Sequence, residues 1–406
     1  MRGRSILGAT LVAGLALTAT ACSSSASSTG STGSTTGSTA QSQGSPIKLM
    51  VLGPLQSSTY SFPEIADGAK AALAPVNAAG GINGHKVDLV TCNDQANQNV
   101  AASCAREAVS DGVVAVVGNT PFGGAVDPVL AAAGIPFVGA GLVTAPDYDG
   151  ANNNTFPVSG LSVTEFAATG VAMVKDGCKK IAIIANENTN GAGLGSLIQA
   201  GVTSTGGQVA SDVVAPFGQS DYSSYVSKAR DADCIGISED APDIIKIINS
   251  VRQGPYPNTK IFLQGTTFSL ALLQSLKSAA NGIIIASATE APSTVASFKQ
   301  EMQAENPKAA LDSESINSWL GTELFVTVAQ KLSDVTASSL TSALNSTSAL
   351  QLNGTSTPLN FTKENPAKGY SRVFNTDALM YAFDASSNTL VPALGGNPID
   401  VEPAFK

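Results

Sequence analysis

Ile47-Lys48-Leu49-Met50-Val51-Leu52-Gly53-Pro54-Leu55, then Ser61-Phe62-Pro63-Glu64, then the run closing on Val76-Asn77-Ala78-Ala79-Gly80-Gly81-Ile82-Asn83-Gly84, form the stretch on which the fold turns. A short apolar run ending in Gly-Pro reads as a buried strand. Ile65, Ala69, Leu73 and Val76 then recur at three- and four-residue spacing, which puts an apolar face on a helix over about 62–79. Ser61 and Glu64 stand at capping-box spacing with Pro63 in the first turn, and Gly80-Gly81 supplies the stop. The stretch is one strand–helix unit.

Working outward, the unit repeats. Apolar runs at 47–52, 87–91, 113–117 and 135–138 alternate with amphipathic stretches at about 62–79, 98–110 and 123–133. Strands alternating with helices imply parallel βαβ units and a doubly wound sheet. The pattern then restarts, with helices predicted at 162–176, 192–204, 222–230 and 241–253 and strands at 180–185, 208–214, 234–238, 260–263 and 282–287. Three further helices are predicted at about 293–305, 315–332 and 336–345, and strands at 351–352, 359–361, 371–374 and 379–383. The predicted class is α/β, with two doubly wound Rossmann-like lobes.

The amino-terminal end addresses a membrane. Arg2 and Arg4 precede an apolar stretch, Ile6 to Ala19, too short to span a bilayer comfortably, so residues 1–21 read as a signal peptide. Ala19-Thr20-Ala21-Cys22 resembles the lipobox of bacterial lipoproteins, with Cys22 as the lipid anchor, although Ala19 stands where leucine is usual. The other reading is an ordinary secretory signal cut near Ala21. Residues 22–46 then form a tether of serine, threonine and glycine that has no apolar surface to bury. As a flexible coil it spans about 25 Å on average. The expected location is the outer face of the cytoplasmic membrane.

The formal charge is −9, and without Arg2 and Arg4 two cations fewer give −11. An acidic body with no basic cluster argues against nucleic acid and against direct contact with anionic lipid. Five cysteines leave four once Cys22 is used, and an even number in an exported chain suggests disulfides. Of the three possible pairings, strand placement favours Cys92–Cys104 and Cys178–Cys234. No CxxC occurs and the single histidine, His85, has no partner nearby, so no metal site is expected.

The opening strand with its Gly-Pro loop, Asp67-Gly68-Ala69-Lys70, and above all Asn77-Ala78-Ala79-Gly80-Gly81-Ile82-Asn83-Gly84 resemble the type I periplasmic binding proteins, in the branch of the leucine/isoleucine/valine-binding proteins. Asn93-Asp94-Gln95, Val113 to Gly118, Ala133-Gly134-Ile135-Pro136, Lys180 to Ile184 and Asp221-Tyr222 extend the resemblance over nearly all of 47–385. It implies a clamp whose chain crosses between lobes three times, near 150–157, 288–292 and 364–370. Lobe one is then 47–153 plus 290–365, and lobe two 154–289 plus 366–406. It further implies a small polar, amino acid-like solute bound between the lobes, an ABC permease as partner, and hinge closure around the solute.

Carried over by position, the resemblance implies that Phe62 lies against the solute, or else staples its helix. It implies that Thr120, Phe122 and Gly123 line the loop after the third strand, where hydroxyls and N–H groups hold a carboxylate. Gly141 and Thr144 follow the fourth strand, where an amino group is held. In lobe two it points to Asn190, Glu239, Asp240 and Thr266. Thr266 stands where amino-acid-binding members place a glutamate that pairs with the ligand ammonium. A buried ammonium without a carboxylate is costly, so either Glu239 or Asp240 replaces that glutamate or the ligand carries no ammonium. Phe156-Pro157 stands where an arginine is sometimes found at the lobe crossing.

Catalysis has little support. No G-x-S-x-G, H-E-x-x-H or P-loop occurs, and Gly191-Ala192-Gly193-Leu194-Gly195 has the wrong spacing for a dinucleotide loop. No catalytic residue and no cofactor is expected. The second reading is a sensor of the same fold that signals to a membrane receptor.

Overall fold

A computed structural model describes residues 44–406 except 59, 144, 150–153, 187–188 and 268, and except the side chains of 146 and 189–192. The signal segment, Cys22 and most of the tether lie outside the described residues. The tether's last residues belong to the body: Gly44 N–H donates to Gly84 O and Ser45 O meets His85 Nδ1.

The first sheet holds β1 (Ile47–Gly53), β2 (Val87–Asn93), β3 (Ala115–Gly118), β4 (Phe137–Val138) and β5 (Thr155–Phe156), all parallel, in the order β2-β1-β3-β4-β5. Its helices are α1 (Glu64–Ala78), α2 (Gln98–Ser110), α3 (Gly123–Ala132) and the single turn α4 (Ala145–Tyr148). Side chains alternate across a strand, so Leu49, Val51, Ala115 and Val117 face α1, while Met50, Leu52 and Val116 face α2 and α3. Each such fully buried Leu, Val or Met side chain contributes about 1.5–3 kcal/mol. The expected capping box is not formed. Pro63 is the N-cap without a side-chain bond, and Ser61 Oγ instead bonds Ser57 within the preceding loop.

The chain stays on the first sheet through Phe156 and then enters α5 (Leu161–Lys175). Next come β6 (Ile181–Ala185), α6 (Thr189–Ser204), β7 (Val209–Val214), α7 (Ser223–Lys228), β8 (Cys234–Ser238), α8 (Ala241–Gln253), β9 (Lys260–Gln264), α9 (Leu270–Leu276) and β10 (Ile284–Ser287). The parallel part of this second sheet runs β10-β9-β8-β6-β7, which repeats the order of the first. Phe166 of α5 and Ile198 of α6 cover one face, and Ile244, Ile247 and Ile248 of α8 the other.

The chain then returns. α10 (Ala296–Glu305), α11 (Ser313–Ala329) and α12 (Ala337–Asn345) follow, and Phe298, Trp319, Leu320 and Leu340 join the core of the first sheet. Gly68 makes the α1–α11 approach possible, because a Cβ there would stand 2.4 Å from Ser315 O. Finally β11 (Asp377–Asp384) adds antiparallel to β10, and β12 (Thr389–Pro392) and β13 (Ile399–Asp400) pair with β11. Leu350 and Leu359 form one bridge, while 371–374, expected as a strand, is a turn and short coil.

Both favoured disulfides are present, Cys92–Cys104 and Cys178–Cys234. They close sequence separations of 12 and 56 residues. Restricting the unfolded chain over such loops is worth about 3 and about 4 kcal/mol. Among the described residues the one grouping of metal-type side chains, Cys178, Asp233 and Cys234, has both sulfurs in a disulfide.

Candidate functional site

In open parallel sheets ligands bind beyond the carboxyl ends of the strands, at the point where strand order reverses. Here that point lies between β1 and β3 in one lobe and between β6 and β8 in the other. The residues leaving these strands are Pro54 to Phe62, Asn119 to Phe122, Asn186, and Glu239-Asp240.

On lobe one, Asn119 donates Nδ2 to Glu314 Oε2 at 2.7 Å, while its Oδ1 is buried without a hydrogen-bond partner. Gly141 leaves room for this amide, since a Cβ there would lie 2.0 Å from Oδ1. Thr120 is buried, and its hydroxyl donates to Asp94 Oδ2 at 2.6 Å. Phe122 packs against the α2–α3 core at the N-cap of α3. Gly123 follows, and Asp147 Oδ1 lies only 1.5 Å from where its Cβ would be, with Asp127 Oδ2 at 3.2 Å. The amino end of α3, where the resemblance places a ligand carboxylate, thus already carries one of the protein's own. Phe62 packs on the core of the first sheet, whereas Tyr60, 5.8 Å from it ring to ring, is the exposed aromatic of that loop. Thr144 and the Asn190 side chain lie outside the described residues.

On lobe two, Glu239 is 3% exposed, and neither carboxyl oxygen is in good hydrogen-bond geometry, with the Asn186 side chain the one donor beside it among the described residues. Burial pushes its carboxyl up to about 8 against the Asn186 side chain, which pulls it down, with the Asp243 and Asp240 charges adding smaller pushes upward. Asp240 instead caps α8, its side chain accepting Asp243 N–H at 3.2 Å. Thr266 N–H donates to Glu165 Oε2 at 2.8 Å, and Ala288 N–H to Glu165 Oε1 at 3.1 Å. A glutamate therefore does stand at Thr266, supplied by α5 instead of by position 266. Burial raises it to about 7 despite these two bonds.

The crossing shows the same substitution of source. No arginine precedes Pro157, yet Arg372 stacks on Phe156 and Phe374 at 5.2 and 4.5 Å and donates to Thr155 O. Its guanidinium is 3.7 Å from Glu364, and burial lowers its pKa to about 10.

The two lobes meet at the start of α11. A Cβ on Gly265 would lie 2.9 Å from Ser313 Oγ and 3.2 Å from Glu165 Oε1. Glu314, one residue on, is raised to about 7 by burial, against the Asn119 bond and with Asp312 adding to it. Its charge in turn raises Glu165, Glu64 and Tyr60. Glu64 itself is pushed to about 8, chiefly by burial and Asp312. Glu239 and the loop that begins at Asn119 were named by position, whereas Glu314, Glu165, Tyr60 and Arg372 were not.

Residues 46–373 match the family described as periplasmic binding protein. Over 192 residues, 46% of its length, the chain is 31% identical to a Leu/Ile/Val-binding protein homolog of Brucella melitensis, of which it covers 52%. Over 187 residues, 44% of its length, it is 29% identical to an amino acid binding protein of Pseudomonas aeruginosa, of which it covers 50%. The chain thus spans about half the length of the curated relatives it matches. Among solved structures, it is similar to the branched-chain amino acid transporter substrate binding protein LivJ of Streptococcus pneumoniae in complex with isoleucine. That likeness has a TM-score of 0.69 at 17% identity and covers 87% of this chain and 99% of the other. A solute binding protein of an ABC transporter from Rhodopseudomonas palustris, in complex with 3,4-dihydroxy benzoic acid, gives 0.69 at 16% identity, over 87% and 96%. At these identities the likeness concerns the fold, which is that of the type I periplasmic binding proteins. Twin sheets of one strand order and a match over most of the length make this chain a member of the periplasmic binding protein family.

Proposed function

We propose that the chain is the exported solute-binding component of an ABC importer, held at the membrane by lipid on Cys22. It closes two lobes, about 47–156 plus 290–365 and 157–289 plus 366–406 once β5 is counted with the first sheet, around a small polar solute and presents it to a permease. The observation that carries this reading is the paired strand order with both reversal points beside a seam that is touched where Gly265 meets Ser313. Only three segments join the lobes, and loops and short segments are what hinge closure bends. A solute that touches both lobes stabilises the closed form by its extra contacts there, and only by those.

Small-angle scattering with and without a panel of amines, amino acids and aromatic acids tests the reading. A saturating solute is expected to shrink the radius of gyration and raise the melting temperature by mass action. A chain whose dimensions and melting are indifferent to every class would not be a solute-binding clamp. Cys22→Ser separately tests the anchor: the variant is expected in the soluble fraction of fractionated cells, and unchanged membrane retention would overturn the lipid assignment.

A further inference from the structure

The two reversal points share a feature that the fold does not require. Each holds a buried oxygen acceptor short of donors among the described residues: Asn119 Oδ1 on lobe one, unpartnered in a residue 6% exposed, and the Glu239 carboxyl on lobe two, 3% exposed, toward which only the Asn186 side chain offers a donor and neither oxygen is in good hydrogen-bond geometry. A buried polar group without a full set of partners is costly, so two at matching places ask for donors from outside the chain. Their neighbours are acids. Glu314 accepts from the Asn119 amide, and Asp94, Glu64 and Asp312 share its electrostatic field with Glu165 facing them from α5. Among the described residues no lysine, arginine or histidine pairs with any of these carboxyls. Tyr60, 38% exposed, adds an aromatic ring within the field of Asp94 and Glu314, the surroundings in which a cation is attracted to a ring face. A ligand carboxylate, by contrast, finds Asp147 already at the amino end of α3.

Resting on the solute-binding reading, we propose that the solute is an organic cation with N–H donors at both ends, an alkyl diamine or polyamine, received by Asn119 Oδ1 and Glu314 on lobe one and by Glu239 on lobe two. Tyr60 covers the cation on the lobe-one side. Glu239 and Glu314 lose their protons as the ammonium groups arrive, so binding releases protons near neutral pH.

Isothermal titration calorimetry of the full chain with butane-1,4-diamine, leucine and succinate at pH 8 tests this, repeated in two buffers of different ionisation enthalpy. Saturable diamine binding is expected, at least tenfold tighter than leucine or succinate, with a heat that changes between buffers. Glu239→Gln and Glu314→Gln are each expected to weaken it at least tenfold, and Tyr60→Ala, at an exposed position that does not threaten folding, about threefold. Leucine or succinate binding more tightly than the diamine overturns the proposal and leaves the solute-binding reading standing. Diamine binding that all three variants leave unchanged also overturns it. If no probe binds and the dimensions never change, both readings fall.

Discussion

Glu239 and Asp243 lie four residues apart at the start of α8, both almost fully buried, yet their carboxyls are shifted in opposite directions. Burial pushes both up. At Asp243 that push is outweighed by Lys246, 2.8 Å away, and by the Gly218 N–H at 2.7 Å, so the group ends below its ordinary value. Glu239 has no cation and ends at about 8. Elsewhere in this lobe carboxylates also have partners: Asp176 pairs with Lys260 at 2.6 Å, and the exposed Asp384 is drawn to about 2 by the Ser386 and Ser387 hydroxyls. The ligand edge follows Glu239, with Glu314 and Glu165 at about 7 and Glu64 at about 8. The contrast teaches that this chain can satisfy a buried carboxylate, as at Asp243, and leaves Glu239 without a cation; under the proposal above, that is where the ligand's cation enters.

The largest effect is expected where a ligand-edge acid also holds the fold. Glu165→Ala removes the acceptor of both Thr266 and Ala288 N–H and leaves two buried donors unmade. At about 1–3 kcal/mol each, with partial relaxation, the loss is about 2–4 kcal/mol in urea unfolding at pH 7. Glu165→Gln keeps one acceptor oxygen and is expected to lose less than half of that. Equal losses from the two variants would mean that charge, not hydrogen bonding, is what Glu165 supplies.

Much of the fold was legible in the sequence, and the reasons for the rest are local. β8 and α8 fall on the predicted 234–238 and 241–253, because a short, fully buried strand and a helix with one apolar face leave no competing period. β5 is two residues long and β12 is largely exposed, so neither carries a hydrophobic pattern. Residues 371–374 look strand-like because Val373 and Phe374 are apolar, but Val373 belongs to the lobe-two core and Phe374 packs on that of lobe one. The site divided along another line. Glu239, a proposed ligand contact, could be named because it directly follows a strand. Glu165 and Arg372 could not, because matching by position asks what stands at 266 and at 156 and cannot see a side chain arriving from elsewhere in the chain. The capping box failed for a related reason: Ser61 had a closer partner in its own loop.

The pH dependence of the empty protein sharpens the comparison. Glu239 ordinarily titrates near 4.5 and in the fold near 8. Between those values the folded chain holds a proton that the unfolded chain has released, so stability falls as pH rises through this window and levels off above it. Glu64, Glu165 and Glu314 act in the same sense. Thermal unfolding followed from pH 5 to 8 is expected to show a melting temperature that drops by several degrees, and Glu239→Gln is expected to flatten the slope. A melting temperature that climbs over this range would mean that these glutamates are not raised in the fold, because Asp243 and Asp384, held below their ordinary values, are charged in both states throughout it.

The smallest effect is expected on the outer face, and its smallness is the point. Lys260 Nζ bonds the Asp176 carboxylate at 2.6 Å and the Asp176 carbonyl at 3.2 Å, but its side chain is 50% exposed. An exposed pair gains little in water, because both partners are well solvated apart and holding a long side chain in one geometry costs entropy, so Lys260→Ala is expected to cost under about 1 kcal/mol. Salt distinguishes this pair from the ligand edge: raising ionic strength removes what remains of an exposed attraction, while carboxyls screened from water respond much less. A loss well above that figure, persisting at high salt, would show that outer carboxylates depend on their cations as strongly as buried ones do. The contrast between Asp243 and Glu239 would then no longer separate a satisfied acid from one awaiting a ligand.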